Sequence, residues 1–167
     1  MDRYPIRVTL LANAGVLIRY RDTALLLDGL FGRKDNPFSL LPPGCREAML
    51  RGEPPFERLD YLLFTHYHPD HFDPEMVRAL LEHRRVKGLF YPKDEAPAVQ
   101  NLSRWLQQEG IPCVPLCRGT DRAAIQIEPG ISVQAFMVPH LGEEYRSVPH
   151  VCYLLSFDGR QVLFTAD

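Results

Sequence analysis

Long apolar runs are missing from this chain: no stretch approaches the roughly 18 uninterrupted apolar residues that a membrane-spanning helix requires. The N-terminus, Met1-Asp2-Arg3-Tyr4-Pro5, lacks a basic segment followed by an apolar core. The expectation is therefore no signal peptide and a cytosolic (cytoplasmic) location. Charge of one sign is not in excess either. Lys and Arg number 19 against 21 Asp and Glu, a net charge of −2, so no global field draws the chain to nucleic acid or to an anionic membrane. Cysteine is scarce, with 4 in 167 residues and no C-x-x-C pair. Free, mostly buried thiols are expected rather than disulfides. Cys113 and Cys117 lie near Pro112 and Pro115, in an extended or turning segment without partners at zinc-finger spacing, which argues against a metal site there. Internal repeats, low-complexity tracts and linkers are also absent.

What remains, at 46% hydrophobic and 24% charged, predicts one globular domain over residues 1–167, long enough to bury a core. Apolar runs at 6–12, 15–20 and 24–28 are separated by Asn13-Ala14-Gly15 and Arg21-Asp22. They predict an antiparallel meander with tight turns. Residues 31–55 are rich in Pro and Gly, with one short helix expected over 46–51, and so long a loop points to function or disorder. A buried strand is predicted over 59–65. A helix opens at Asp73-Pro74, with Met76, Val77, Leu80 and Leu81 as its apolar stripe. A strand over 88–91 and a helix over 94–109, stopped by Gly110 and Pro112, come next. Strands follow at 123–127, 131–138, 151–157 and 161–165, with Glu128-Pro129-Gly130 and Asp158-Gly159-Arg160 as hairpin turns. This order predicts an α+β fold of layered sheets with helices packed outside.

The chemistry concentrates where the strand over 59–65 ends. His66 and His68 stand two apart, so the period of two along a strand throws both imidazoles to one side. Asp70 and His71 follow in the turn before the helix and can lean over the same cavity from another angle. The chain has 6 histidines, and three of them fall in this six-residue run with an acid. Imidazole and carboxylate donors suit zinc, with iron or manganese as alternatives. His140 and His150 both follow Val-Pro, and both could face the cleft. His140 ends a strand-like run and precedes Gly142 in a polar loop, which suits a ligand on a strand terminus. His150 opens the next strand. Asp28 reads equally as an acid orienting a ligand imidazole through its other nitrogen or as a turn aspartate before Gly29. The cations His83, Arg84, Arg85 and Lys87 read as dipole partners at a helix C-terminus rather than as a nucleic-acid surface.

Thr65-His66-Tyr67-His68-Pro69-Asp70-His71 resembles the H-x-H-x-D-H signature of the metallo-β-lactamase superfamily. The meander ending at Asp28, the strand 132–140 and the segment 162–167 resemble further parts of that family. The resemblance implies an αβ/βα sandwich and two metal ions about 3.5 Å apart. His66, His68 and His140 would hold the first ion; Asp70, His71 and Asp167 would hold the second, with Asp167 bridging. Asp70 and His71 would also take part in catalysis. The implied activity is a metal-dependent hydrolase whose metal-activated water attacks an ester, thioester, lactone or phosphodiester of a small-molecule substrate. Family members typically run on past the bridging aspartate to one last histidine, whereas this chain stops at Asp167, with Ala166 where the family has glycine. The expectation is a fold with its C-terminal portion missing. A homodimer completing the sheet, or a non-catalytic half-site module, are the alternatives. Di-iron redox chemistry is disfavoured, because oxygen-handling relatives usually carry an acid where His68 stands. The loop 31–55, with Phe38, Leu40, Leu41 and Phe56, is expected to form a lid favouring a partly hydrophobic substrate.

Overall fold

The computed structural model describes residues 4–32, 37–117 and 124–165. The opening meander forms as expected: β1 (Arg7–Leu10), β2 (Val16–Tyr20) and β3 (Thr23–Leu27) pair antiparallel. The chain then leaves the sheet, passes through α1 (Cys45–Arg51) and returns as β4 (Tyr61–Leu63), parallel to β3. α2 (Pro74–His83) leads to β5 (Gly88–Pro92), and α3 (Pro97–Gln108) leads to β6 (Cys113–Leu116), both strands again parallel. These strands form one sheet in the order β1-β2-β3-β4-β5-β6. The remaining strands are β7 (Ile125–Glu128), β8 (Ile131–Val138), β9 (His150–Phe157) and β10 (Arg160–Phe164). They form a second, wholly antiparallel sheet in the order β10-β9-β8-β7.

β3 and β5 are buried along their whole length, because the first sheet is covered on both faces. Alternation along each strand splits its side chains between two cores. Leu26, Leu62 and Leu89 face the helices, where Val77, Leu80 and Leu106 meet them. Leu25, Leu63 and Phe90 face the second sheet and its Val133, Tyr153 and Leu155. The described residues thus stack as three layers: helices, mixed sheet, antiparallel sheet.

Three local readings shift. The helix expected from Asp94 begins at Pro97, because the Asp94 carboxylate accepts the Ala96 N–H at 2.7 Å and turns the chain into a proline-led first turn. The segment read as extended at 113–116 is a full strand, β6, and sits at the sheet edge, where Pro115 is tolerated. Phe56, expected in a lid, is fully buried in the helix-side core. The expected start of β7 at Ala123 lies outside the described residues. α2 starts as predicted: the Asp73 carboxylate accepts the N–H groups of Glu75 and Met76, and Pro74 follows at the first helical position.

Three residues of the basic cluster at the end of α2 bond within the fold. His83 Nδ1 donates to the Ala79 carbonyl, Arg84 grips three backbone carbonyls, and Lys87 pairs with Glu128 and Asp60. All four cysteines are free and half-buried. No helix among the described residues is long and apolar enough to cross a membrane.

Candidate metal centre

Four strand ends meet at one edge of the two sheets. β3 ends at Asp28, β4 runs into Thr65 and His66, β8 delivers His140, and β9 begins at His150. This is the carboxyl edge of the parallel strands, where α/β sheets place their ligands. Two bonds stitch the sheets together here: the Val151 N–H donates to the Thr65 carbonyl at 2.9 Å, and the buried Tyr153 hydroxyl donates to the Phe64 carbonyl at 2.6 Å. Burial, together with the nearby Asp28, raises the Tyr153 phenol well above its usual range, so it remains a donor.

The six-residue run folds as its spacing predicts. The N–H groups of His71 and Phe72 both reach the His68 carbonyl, closing a turn between β4 and α2. His66 and His68 share one side, and Tyr67 points away to pack against Phe72. Phe72 in turn stacks on Phe64 at 4.3 Å, which pins the turn to the core. His66 Nε2 lies 2.9 Å from His68 Nδ1 and 3.3 Å from His140 Nε2. His66, His68 and His140 form a set of donor atoms all within 4.8 Å of one another. Tetrahedral zinc with Zn–N near 2.05 Å would separate its nitrogens by roughly 3.3 Å, so the triad fits such an ion.

The outer partners set which nitrogen carries the proton in three of the rings. His140 Nδ1 must donate to the Leu141 carbonyl, 2.7 Å away. Thr65 donates its hydroxyl to Asp28 Oδ2 at 2.5 Å, so its oxygen is left to accept from His66 Nδ1 at 3.0 Å. His71 Nδ1 donates to the same Asp28 oxygen at 2.8 Å. In each ring Nε2 is left as a lone pair aimed inward. Two such lone pairs, on His66 and His140, confront each other at 3.3 Å. A cation between them would be held by both. Burial, with the surrounding imidazoles of His71 and His68, holds the His66 pKa far below the ordinary histidine range, which keeps it in the neutral, ligating form.

Asp28 itself is fully buried in the left-handed backbone region, φ 44°. Besides the two side-chain donors it accepts the Thr65 N–H at 2.8 Å. Burial pushes its carboxyl upward against these contacts, which pull it down. Of the two readings of Asp28, the geometry selects the acid that orients imidazoles. Asp70 Oδ2 lies 3.4 Å from His71 Nε2, both nearly buried, so these two inner donors sit together beside the triad. Asp167 lies outside the described residues.

No protein-family model matches the sequence, and no curated protein matches it. Solved structures do. The diiron β-hydroxylase CmlA from Streptomyces venezuelae is 23% identical, with a TM-score of 0.61; the match covers 99% of this chain and 30% of that one. Igni18, a metallo hydrolase from the hyperthermophilic archaeon Ignicoccus hospitalis, is 15% identical at a TM-score of 0.61, covering 97% and 60%. The short form of human tRNase Z is 15% identical at 0.56, covering 99% and 65%. The chain has the metallo-β-lactamase fold.

It spans less than two thirds of the length of each of these structures. They are named as a hydroxylase, a hydrolase and a tRNase, so this fold does not by itself select a reaction. Within the metallo-β-lactamase fold seen here, the structure gathers His66, His68 and His140 in one set and Asp70 with His71 beside it. His150, the weaker candidate, is also buried at the site, its ring 5.1 Å from His66 and 5.2 Å from His140. It is not among the three histidines whose donor atoms lie within 4.8 Å of one another. The sequence reading missed Tyr145, whose ring lies 5.0 Å from His68; a tyrosine in a polar loop carries no periodic signal. It also assigned no role to Thr65, although Thr65 opens the quoted motif.

Two clefts flank the motif and share Tyr67. One, of about 1120 Å³, runs between the start of α3 and the loop before β9, lined by Tyr91, Lys93, Ser103, Cys117 and Pro149. The other, of about 870 Å³, lies between the start of α2 and the 40–47 segment, lined by Leu40, Leu41, Asp73 and Met76. Leu40 is exposed there and Phe38 is exposed nearby in sequence, while residues 33–36 of the expected lid lie outside the described residues.

Proposed function

We propose that this chain carries the centre of a metal-dependent hydrolase. His66 through Nε2, His68 through Nδ1 and His140 through Nε2 hold one divalent ion. Asp70 and His71, with Asp167, hold a second. The facing lone pairs of His66 and His140 at 3.3 Å carry this reading, because the protons of both Nδ1 atoms are committed elsewhere. Zinc suits the imidazole-rich donor set, with iron or manganese as alternatives. Bound metal supplies Lewis acidity, activating water near neutral pH and polarising a carbonyl or phosphoryl oxygen.

The chain's own residues do the rest. Asp28 and Thr65 hold the imidazole tautomers, and Asp70 and His71 form a carboxylate–imidazole pair beside His66. Tyr67 lines both clefts that flank the motif. The substrate class we infer is a small ester, thioester, lactone or phosphodiester, with the exposed Phe38 and Leu40 favouring a partly apolar one. Cytosolic location and a single domain over residues 1–167 belong to the same proposal.

Metal analysis of protein purified without added metal tests it, together with screening of p-nitrophenyl acetate and bis(p-nitrophenyl) phosphate. About two ions per chain, with hydrolysis lost in His68→Ala and His140→Ala, is the expected result. Stoichiometric metal without turnover on any ester or phosphodiester would favour a metal-stabilised binding module instead. Absence of metal would overturn the reading.

A further inference from the structure

The triad is not equally enclosed on all sides. His66 is fully buried and His140 nearly so, while His68 is only half-buried, so the open edge runs along His68 and His140. A single aromatic ring covers that edge. Tyr145 ends the 3-10 turn Glu143–Tyr145 that follows His140, and its ring stands 5.0 Å from His68 at 74° and 5.2 Å from His140 at 58°. It remains 42% exposed, so the ring lies against the imidazoles and also meets solvent.

The placement is built in. Gly142 takes φ 93°, in the region that favours glycine, and a Cβ there would lie 3.2 Å from Tyr145 Cδ2 and 3.1 Å from the Glu144 carboxylate. Only a residue without a side chain lets the turn fold this closely back on itself. The Tyr145 N–H returns to the Gly142 carbonyl at 3.1 Å, and the Val148 N–H closes the next turn on the Tyr145 carbonyl at 2.8 Å. The same loop continues through Ser147, Val148 and Pro149 into the wall of the larger cleft. Any ligand entering along the His68–His140 edge must pass this ring.

We propose that Tyr145 is a specificity residue of the site, its ring admitting slender ligands to the triad's metal and rejecting branched ones. The inference rests on the metal reading given above. It is a steric device, discrimination by a built-in clash rather than by an added attraction, so the ring and not the hydroxyl carries it.

The test is cobalt(II)-loaded protein titrated with two thiols of like chemistry and different bulk, ethanethiol and tert-butyl thiol. Binding is read from the thiolate-to-cobalt charge-transfer absorption. Tyr145→Ala is expected to tighten tert-butyl thiol by about tenfold while moving ethanethiol less than about twofold. Tyr145→Phe should keep the wild-type ratio, and Tyr145→Trp should widen it. An unchanged ratio in Tyr145→Ala, or an equal shift for both thiols, with cobalt fully bound, would overturn this role and leave the metal reading intact. Failure of the wild-type chain to bind cobalt would overturn both.

Discussion

Asp28 accepts three hydrogen bonds, two from Thr65 and one from His71. Its carboxylate takes the Thr65 N–H and hydroxyl and the His71 ring, and through Thr65 it reaches His66. One buried acid therefore holds the tautomers of two imidazoles assigned to different ions. Replacing it with Asn keeps the shape but offers an amide NH₂ where an acceptor is needed. Asp28→Asn is expected to weaken zinc binding by about 10- to 100-fold, the usual cost of losing a partner behind a ligand. Chelator competition at constant pH measures it, and an unchanged affinity with native circular dichroism would sink the idea. The Thr65–Asp28 link had no signal in the linear order, because the two residues are brought together only when β3 and β4 pair in parallel.

At the scale of elements, two contacts decide how the layers hold. Arg84 caps α2 and sends its guanidinium to the carbonyls of Met49, Phe56 and Glu57, at 2.9, 2.6 and 2.8 Å. It thereby closes the end of α1 and the loop leading to β4 against α2. Arg84→Ala leaves three carbonyls without their donor and is expected to destabilise the fold by about 2 kcal/mol in urea unfolding. Arg84→Lys should recover little of this, since an ammonium lacks the planar fork.

Tyr61 ties β4 to the second sheet, donating at 2.8 Å to the Ile127 carbonyl and at 3.2 Å to the Glu128 carboxylate. Burial and the nearby Glu128 charge push its phenol up to about 12, against about 10 in the unfolded chain. The folded state thus retains a proton that the unfolded state releases. Stability from this contact is complete below pH 10 and is lost as the pH rises from about 10 to about 12. Tyr61→Phe is expected to show a shallower decline than wild type across that window. Parallel pH profiles for the two proteins would count against the contact.

For the whole molecule, the candidate site joins two sheets that otherwise meet through apolar contact and a few bonds. His66 and His68 come from the first sheet, and His140 comes from the second. A metal held by all three crosslinks the layers and binds only the folded chain. Free zinc at 100 times its dissociation constant would add about 2.7 kcal/mol, a rise in melting temperature of roughly 5–10 °C for a chain of this size. A chelator should reverse the rise, and His140→Ala should remove most of it. A melting temperature indifferent to zinc in the wild-type chain would argue that the triad does not bridge the sheets through metal.

Much of this was written in the linear order. Strand alternation put His66 and His68 on one side, Asp73-Pro74 started α2, and Glu128-Pro129-Gly130 and Asp158-Gly159-Arg160 turned their hairpins, because each depends on sterics and bonds within a few residues. The H-x-H-x-D-H run was legible for the same reason. The choice between His140 and His150 was not local, since both follow Val-Pro. The β8–β9 register pairs Val138 with His150, and the bond from Val151 to Thr65 docks this hairpin on β4, which brings both histidines beside His66. Tyr145 reached the His68–His140 edge only because Gly142 folds its loop back over the site. Short-range geometry set what each segment is; pairing across more than seventy residues decided which side chains share one cavity.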